Sequence, residues 1–220
     1  MSSQPGQPVL DAISAIWHDL GRPGSWWTGV QRLAVAQVVR TAAPRPLWDR
    51  APDLAGASRE VEGSAVLSPF VELLVERLAV EPSSLSRDEV QAIAGELGDA
   101  AYAELASIVC QVVAVDHFAA ALGETLAPFP EAVDGPPTRV RPEGMADVGG
   151  HIEMTAEHLG PNVARSLSLA DADHFRWMMA VAAMYASHDF LDLVWDDRAL
   201  SRPQVELLAA RTSALNECFY

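Results

Sequence analysis

The sequence predicts an all-α fold. Apolar residues recur at three- and four-residue spacing through most of the chain, and helix-capping and helix-stopping residues punctuate those stretches. No stretch alternates apolar and polar residues over six positions, so no sheet is expected. Hydrophobic residues make up 50% of the 220, enough to bury a sizeable core.

Residues 1–8 read as a short disordered lead-in without the basic and apolar regions of a signal peptide. Val9, Leu10, Ile13, Ile16, Trp17 and Leu20 share a helical face, and Gly21 stops it. After the turn at residues 22–25, Thr28 caps a helix carrying Val30, Leu33, Ala34, Val38 and Val39, which runs to Pro44. Residues 44–64 lack a steady period and read as a loop. Ser68-Pro69 opens the next helix, and Pro82 ends it. Ser86 and Glu89 have capping-box spacing. Residues 99–122 form the strongest helix, apolar almost all round, and are expected at the centre of the fold.

Residues 126–150 are rich in Pro and Gly and read as a long connector, either an ordered arm or a segment crossing a partner subunit. A short helix near 151–159, a break at Gly160-Pro161-Asn162, a helix from about 171 to 187 and a final helix from Ser201 onward complete the expectation. The division is an N-terminal half at 1–125, the connector at 126–150 and a C-terminal half at 151–220.

The formal net charge is −15, which argues against nucleic acid and anionic membrane surfaces as partners. All 15 basic residues are arginine, so Schiff-base chemistry and a P-loop lysine are excluded. No run of about 20 unbroken apolar residues suits a membrane span. Cys110 and Cys218 make no disulfide framework, and the cytoplasm is the expected compartment.

The final helix carries the most chemical information. Glu206 and Cys218 are separated by eleven residues. On a continuous helix they lie about 120° apart and roughly 18 Å along the axis, so they meet only if the helix breaks near Asn216, or else Glu206 reaches a different part of a shared pocket. The stretch Ser213-Ala214-Leu215-Asn216-Glu217-Cys218-Phe219-Tyr220 resembles the thiol-site segment of the alkylhydroperoxidase/carboxymuconolactone-decarboxylase family. That family's pattern is Glu, eleven residues, Cys, two residues, Cys, three residues, His. Glu206 and Cys218 match its first two positions, and the second Cys and the His fall beyond Tyr220. The segments at 26–36, 85–105, 111–123 and 160–169 resemble other parts of the family's helices. The resemblance implies two fused copies of a helical core. Gln31 stands where relatives often have Glu, residues 43–48 replace a cysteine pair, and Glu76 stands where many relatives carry His.

The resemblance implies peroxide reduction by cysteine chemistry. Glu206 is then a proton-relay carboxylate and Cys218 the resolving thiol, next to an attacking cysteine that the pattern places after Tyr220. Three arrangements fit: a motif continuing beyond the sequence, a degenerate site reused for binding or assembly, or Cys218 acting alone with an external thiol. Decarboxylase relatives use acid–base chemistry, for which Glu76, Glu104 and His117 are candidates. The expected partners are a peroxide, an external dithiol reductant and further copies of the chain in a homo-oligomer, with no cofactor.

Other residues have plainer readings. Cys110 reads as a small hydrophobe inside an apolar helix. His117 shares its helix face and is either a packed histidine or half of a Cys–His pair. Glu104 either lines a pocket or is solvated. His151, Glu153 and His158 are the one histidine–carboxylate cluster close in sequence, at spacing unlike that of zinc ligands on a helix. His174, Trp177, Met178, Met184, Tyr185 and His188 mark a helix suited to core or subunit contacts, and Trp26-Trp27 either plug the base of the core or pack on a partner.

Overall fold

A computed structural model of the chain describes residues 5–42, 54–61, 63–157, 162–185, 194–195 and 199–216. The fold is all-α, with helices α1 (Gln7–Leu20), α2 (Gly29–Thr41), α3 (Pro69–Val80), α4 (Arg87–Leu97), α5 (Asp99–Ala121), α6 (Asp171–Met184) and α7 (Arg202–Leu215). Two antiparallel strands of two residues each, β1 (Met145–Ala146) and β2 (Met154–Thr155), are a small addition to the sheet-free expectation.

Local chemistry sets most helix ends. Thr28 and Gln31 form a capping box at the start of α2, so Gln31 acts in folding. Ser68 caps α3, and Ser86 with Glu89 closes a capping box on α4. The lead-in is shorter than expected because Gln7 and Pro8 already belong to α1, where proline suits the first turn.

Helix α5 is the central element, with α2, α3, α4 and α6 packed around it. Its 23 residues are long and apolar enough to cross a membrane by length and composition, contrary to the expectation from the sequence. In this fold those apolar positions face other helices: Leu105, Ile108, Val109 and Val112 pack with Leu74 and Val75 of α3 and Val35 and Ala36 of α2. Helix α6 lies against α1 and α5, where Ile16, Val115 and Ala180 form a smaller apolar cluster.

Three expectations are corrected. The buried face of α2 is Arg32, Val35, Ala36 and Val39, rotated from the face through Val30 and Leu33, and Val30 is exposed. Residues 151–155 form a bend and β2 rather than a helix, because Gly149-Gly150 turns the chain and Thr155 N–H donates to Ser168 Oγ at 2.8 Å. Cys110 is exposed on α5 rather than buried. The parts of the expected loop at 44–53 and of the break at 158–161 lie outside the described residues.

The connector is an ordered arm bound to the first helices. Val133 N–H donates to Gly21 O at 2.8 Å, Thr138 N–H to Gly24 O at 3.1 Å, and Arg139 N–H to Ser25 O at 2.8 Å. Trp17 Nε1 donates to Pro128 O at 2.8 Å, and Phe129 stacks on the Trp17 ring. Arg40 reaches the arm from α2, donating to Ala127 O and covering the Phe129 ring, while Asp116 of α5 holds its other nitrogens at 2.7 and 2.8 Å.

This close approach needs glycine at position 29, where a Cβ would overlap the Gly21 carbonyl oxygen and lie 2.8 Å from Val133 O. Gly29→Ala is therefore expected to destabilise the chain by about 2–3 kcal/mol in urea unfolding. Gly56→Ala, where a Cβ meets nothing within 4 Å, serves as the control and is expected to change little.

Candidate functional site

Two clusters of functional side chains stand out. The first is buried where α2, α5 and α6 meet. Arg32 of α2 is 1% exposed and Glu104 of α5 is 0% exposed. Arg32 Nη1 donates to Glu104 Oε1 at 2.5 Å and to Asp173 Oδ2 at 2.9 Å, and its Nη2 donates to Asp173 Oδ1 at 2.8 Å. Arg32 Nε donates to Leu20 O at 3.3 Å. From α6, Arg176 donates to Asp173 Oδ1 at 2.9 Å and to Asp19 Oδ2 at 2.8 Å, which brings α1 into the network. Gln111, two turns along α5 from Glu104, donates to Asp173.

The electrostatics follow from dehydration and charge sharing. Burial by itself would push the Asp173 carboxyl up, but Arg32 and Arg176 outweigh it and hold it at about 2. Burial pushes the Glu104 carboxyl up, and the nearby Asp173 charge adds to that shift against the pull of Arg32. Burial also opposes the charge on Arg32, and the two carboxylates more than offset it. Asp173 is thus the permanent anion of the cluster.

The turn between α1 and α2 seals this network. Trp26 N–H donates to Glu104 Oε2 at 2.6 Å, so both Glu104 oxygens are engaged. Gly24 packs directly on the ion pair, and a Cβ there would overlap Glu104 Oε1. Trp27 plugs the core as expected, with Nε1 donating to Ala101 O at 2.9 Å.

The second cluster surrounds Glu206 on α7. Tyr185 Oη, just after α6, donates to Glu206 Oε2 at 2.8 Å. Arg202 Nε lies 3.4 Å from Glu206 Oε1, one helical turn away. Trp195 packs edge-on to the Tyr185 ring, and the Arg202 guanidinium lies over the Trp195 ring. Burial, then the bond to Glu206, pushes the Tyr185 phenol up, so the phenol keeps its proton. Helix α7 ends at Leu215 with Asn216 as its C-cap. Cys218 itself lies outside the described residues.

The remaining candidates are dispersed. His117 is exposed on α5, about 140° around the axis from Glu104. Cys110 is exposed on the His117 face, about 10 Å along the helix. Glu76 is half-buried on α3. Glu153 pairs with Arg141 at 2.7 Å, His158 and His188 lie outside the described residues, and no metal-binding group of His, Cys, Asp or Glu is present among those described.

Arg32, Asp173, Arg176 and Asp19 were not singled out from the sequence, although a signal was present. Arg32 precedes Val35, Ala36 and Val39 at buried-face spacing, and Glu104 lies in the most apolar helix, so each marks a charge in need of a partner. No family model, curated protein or solved structure matches the chain.

Asp173→Asn leaves Arg32 and Arg176 short of a buried counter-charge, and is expected to cost about 3–5 kcal/mol in denaturant unfolding. The ordinary Asp value of 3.8 is depressed to about 2 in the fold, so this stabilisation is complete above 3.8 and is lost as pH falls through about 2. The acid limb of a stability–pH curve should accordingly be shallower in Asp173→Asn than in the parent chain.

Proposed function

We propose that the chain is a thiol peroxidase-like oxidoreductase of the alkylhydroperoxidase type, acting on an organic hydroperoxide or hydrogen peroxide. Glu206 is its proton carrier, and Cys218 is part of its redox thiol pair. The observation that supports this reading is the Glu206 cluster. A carboxylate 45% exposed is held in place by a protonated phenol and a guanidinium, on the helix that leads to Cys218. A carboxylate fixed in this way can accept and return a proton without losing its orientation.

The chemistry runs through two-electron steps. A thiolate attacks one peroxide oxygen, the O–O bond breaks, and the departing alkoxide takes a proton by way of Glu206 and leaves as alcohol, or as water from hydrogen peroxide. The sulfur is left as a sulfenic acid. Condensation with a second thiol releases water and gives a disulfide that includes Cys218. An external dithiol then reduces that disulfide and becomes oxidised itself. No bound cofactor enters these steps. The acid–base alternative has less support, because both oxygens of Glu104 are already occupied and His117 lies on another side of α5.

A second reading, a helical binding or assembly module, draws on Leu207, Leu208 and Leu215. These are 71%, 57% and 66% exposed on a helix with no buried residue. An apolar stripe of this kind suits contacts between copies in a homo-oligomer.

Peroxide consumption driven by dithiothreitol separates the two readings. Cys218→Ser is expected to prevent the intramolecular disulfide and lower turnover, and Glu206→Gln to lower kcat/KM by about 100-fold, the scale of lost general acid–base catalysis. Tyr185→Phe should cost less. Turnover unaffected by Cys218→Ser would refute the peroxidase reading, and loss of self-association in Leu207→Asp would support the assembly module.

A further inference from the structure

A cavity of about 310 Å³ opens over the buried network, between the α1–α2 turn, the arm and the start of α6. It shares no lining residue with the Glu206 cluster, so its function is independent of the peroxidase reading. Its size is at the lower end for small-molecule sites.

Its polar walls carry both signs of charge. Arg22, Arg32 and Arg176 supply the cations. Arg32 makes four hydrogen bonds, which leaves one Nη2 N–H without a partner among the described residues. Arg176 Nε is also unpartnered among them but is fully buried, so Arg176 can meet a ligand only through its Nη groups, on a side chain 17% exposed. Arg22 is 51% exposed and only loosely tied, to Asp19 at 3.5 Å and to His18 Nε2 at 3.4 Å. The first turn of α6 adds open backbone N–H groups, because Ala170 cannot cap them with its side chain.

The carboxylates differ in availability. Asp19 and Asp173 are held by arginine, whereas Asp171, exposed at the rim, has no hydrogen bond or ion pair among the described residues. With every group ionised, Arg22, Arg32 and Arg176 face Asp19, Asp171, Asp173 and Glu104. That balance disfavours a simple anion, and the spare N–H groups disfavour a simple cation. A ligand with one charge of each sign satisfies both. Pro23, Val140 and Ala172 supply an apolar wall.

We infer that this cavity binds a small zwitterion, an α-amino acid with an apolar side chain. Its carboxylate bonds Arg22 and Arg176, its ammonium bonds Asp171, and its side chain lies against Pro23 and Val140. The planar guanidinium fork suits the carboxylate, and the amino acid adds no net charge to a cluster of three arginines and four carboxylates.

Isothermal titration of the full chain with L-phenylalanine, 3-phenylpropionate and 2-phenylethylamine tests the inference, since the second lacks the ammonium and the third the carboxylate. Saturable binding of phenylalanine is expected, with each single-charge compound weaker by about tenfold or more, the scale of one lost charged hydrogen bond. Arg22→Gln and Asp171→Asn, both at exposed positions with folding checked by circular dichroism, should each weaken phenylalanine by a similar factor. Glu72→Gln on the exposed side of α3 should leave it unchanged. Equal binding of either single-charge compound, no saturation by about 10 mM, or undiminished affinity in both variants would overturn the assignment.

Discussion

A guanidinium removed from water must meet enough acceptors to replace its hydration, and Arg32 meets them on three other helices. Leu20 O, Glu104 and Asp173 come from α1, α5 and α6, so one side chain on α2 fixes where those helices stand relative to one another. Apolar contacts alone tolerate sliding, because they have no direction. A bidentate Arg32–Asp173 pair does not, since both its hydrogen bonds fail together when the helices shift. The network contributes specificity of arrangement more than net stability, because dehydrating its charges offsets much of their attraction.

The arm and the α1–α2 turn follow from that constraint. Gly24 admits Glu104 and Arg32 to within contact of the backbone, and the Trp26 N–H completes the carboxylate's shell. The turn's own carbonyls then point outward and accept hydrogen bonds from the arm at Val133, Thr138 and Arg139. A proline-rich strand with few partners of its own is ordered by carbonyls that the buried ion pair has oriented. Arg40, clamped by Asp116 and lying over Phe129, secures the arm's other end.

The two candidate sites differ physically. The Glu206 cluster is partly open, with a carboxylate whose neighbours are a proton donor and a cation, an environment suited to moving protons. The Arg32 network is closed and its carboxylates are saturated, so its chemistry is that of a rigid floor. Arg32 and Arg176 of that floor also line a cavity, which suits recognition rather than reaction. Glu104 illustrates the difference. From sequence it was a candidate acid or base, while in the fold its oxygens are committed to Arg32 and the Trp26 amide.

The sequence by itself determined the elements. Thr28, Ser68 and Ser86 announced the starts of α2, α3 and α4, and the apolar character of residues 99–122 marked the central helix, because caps and periodicity act over a few neighbouring positions. It misjudged residues 151–155, where a glycine pair and a distant serine hydroxyl outweigh a weak helical pattern. It could not reveal the partnership of Arg32 with Asp173, 141 positions away, nor the fixing of the arm on Gly21 and Gly24. Those contacts are non-local. Which buried charge meets which, and which donors remain to face a cavity, is decided only when the helices pack.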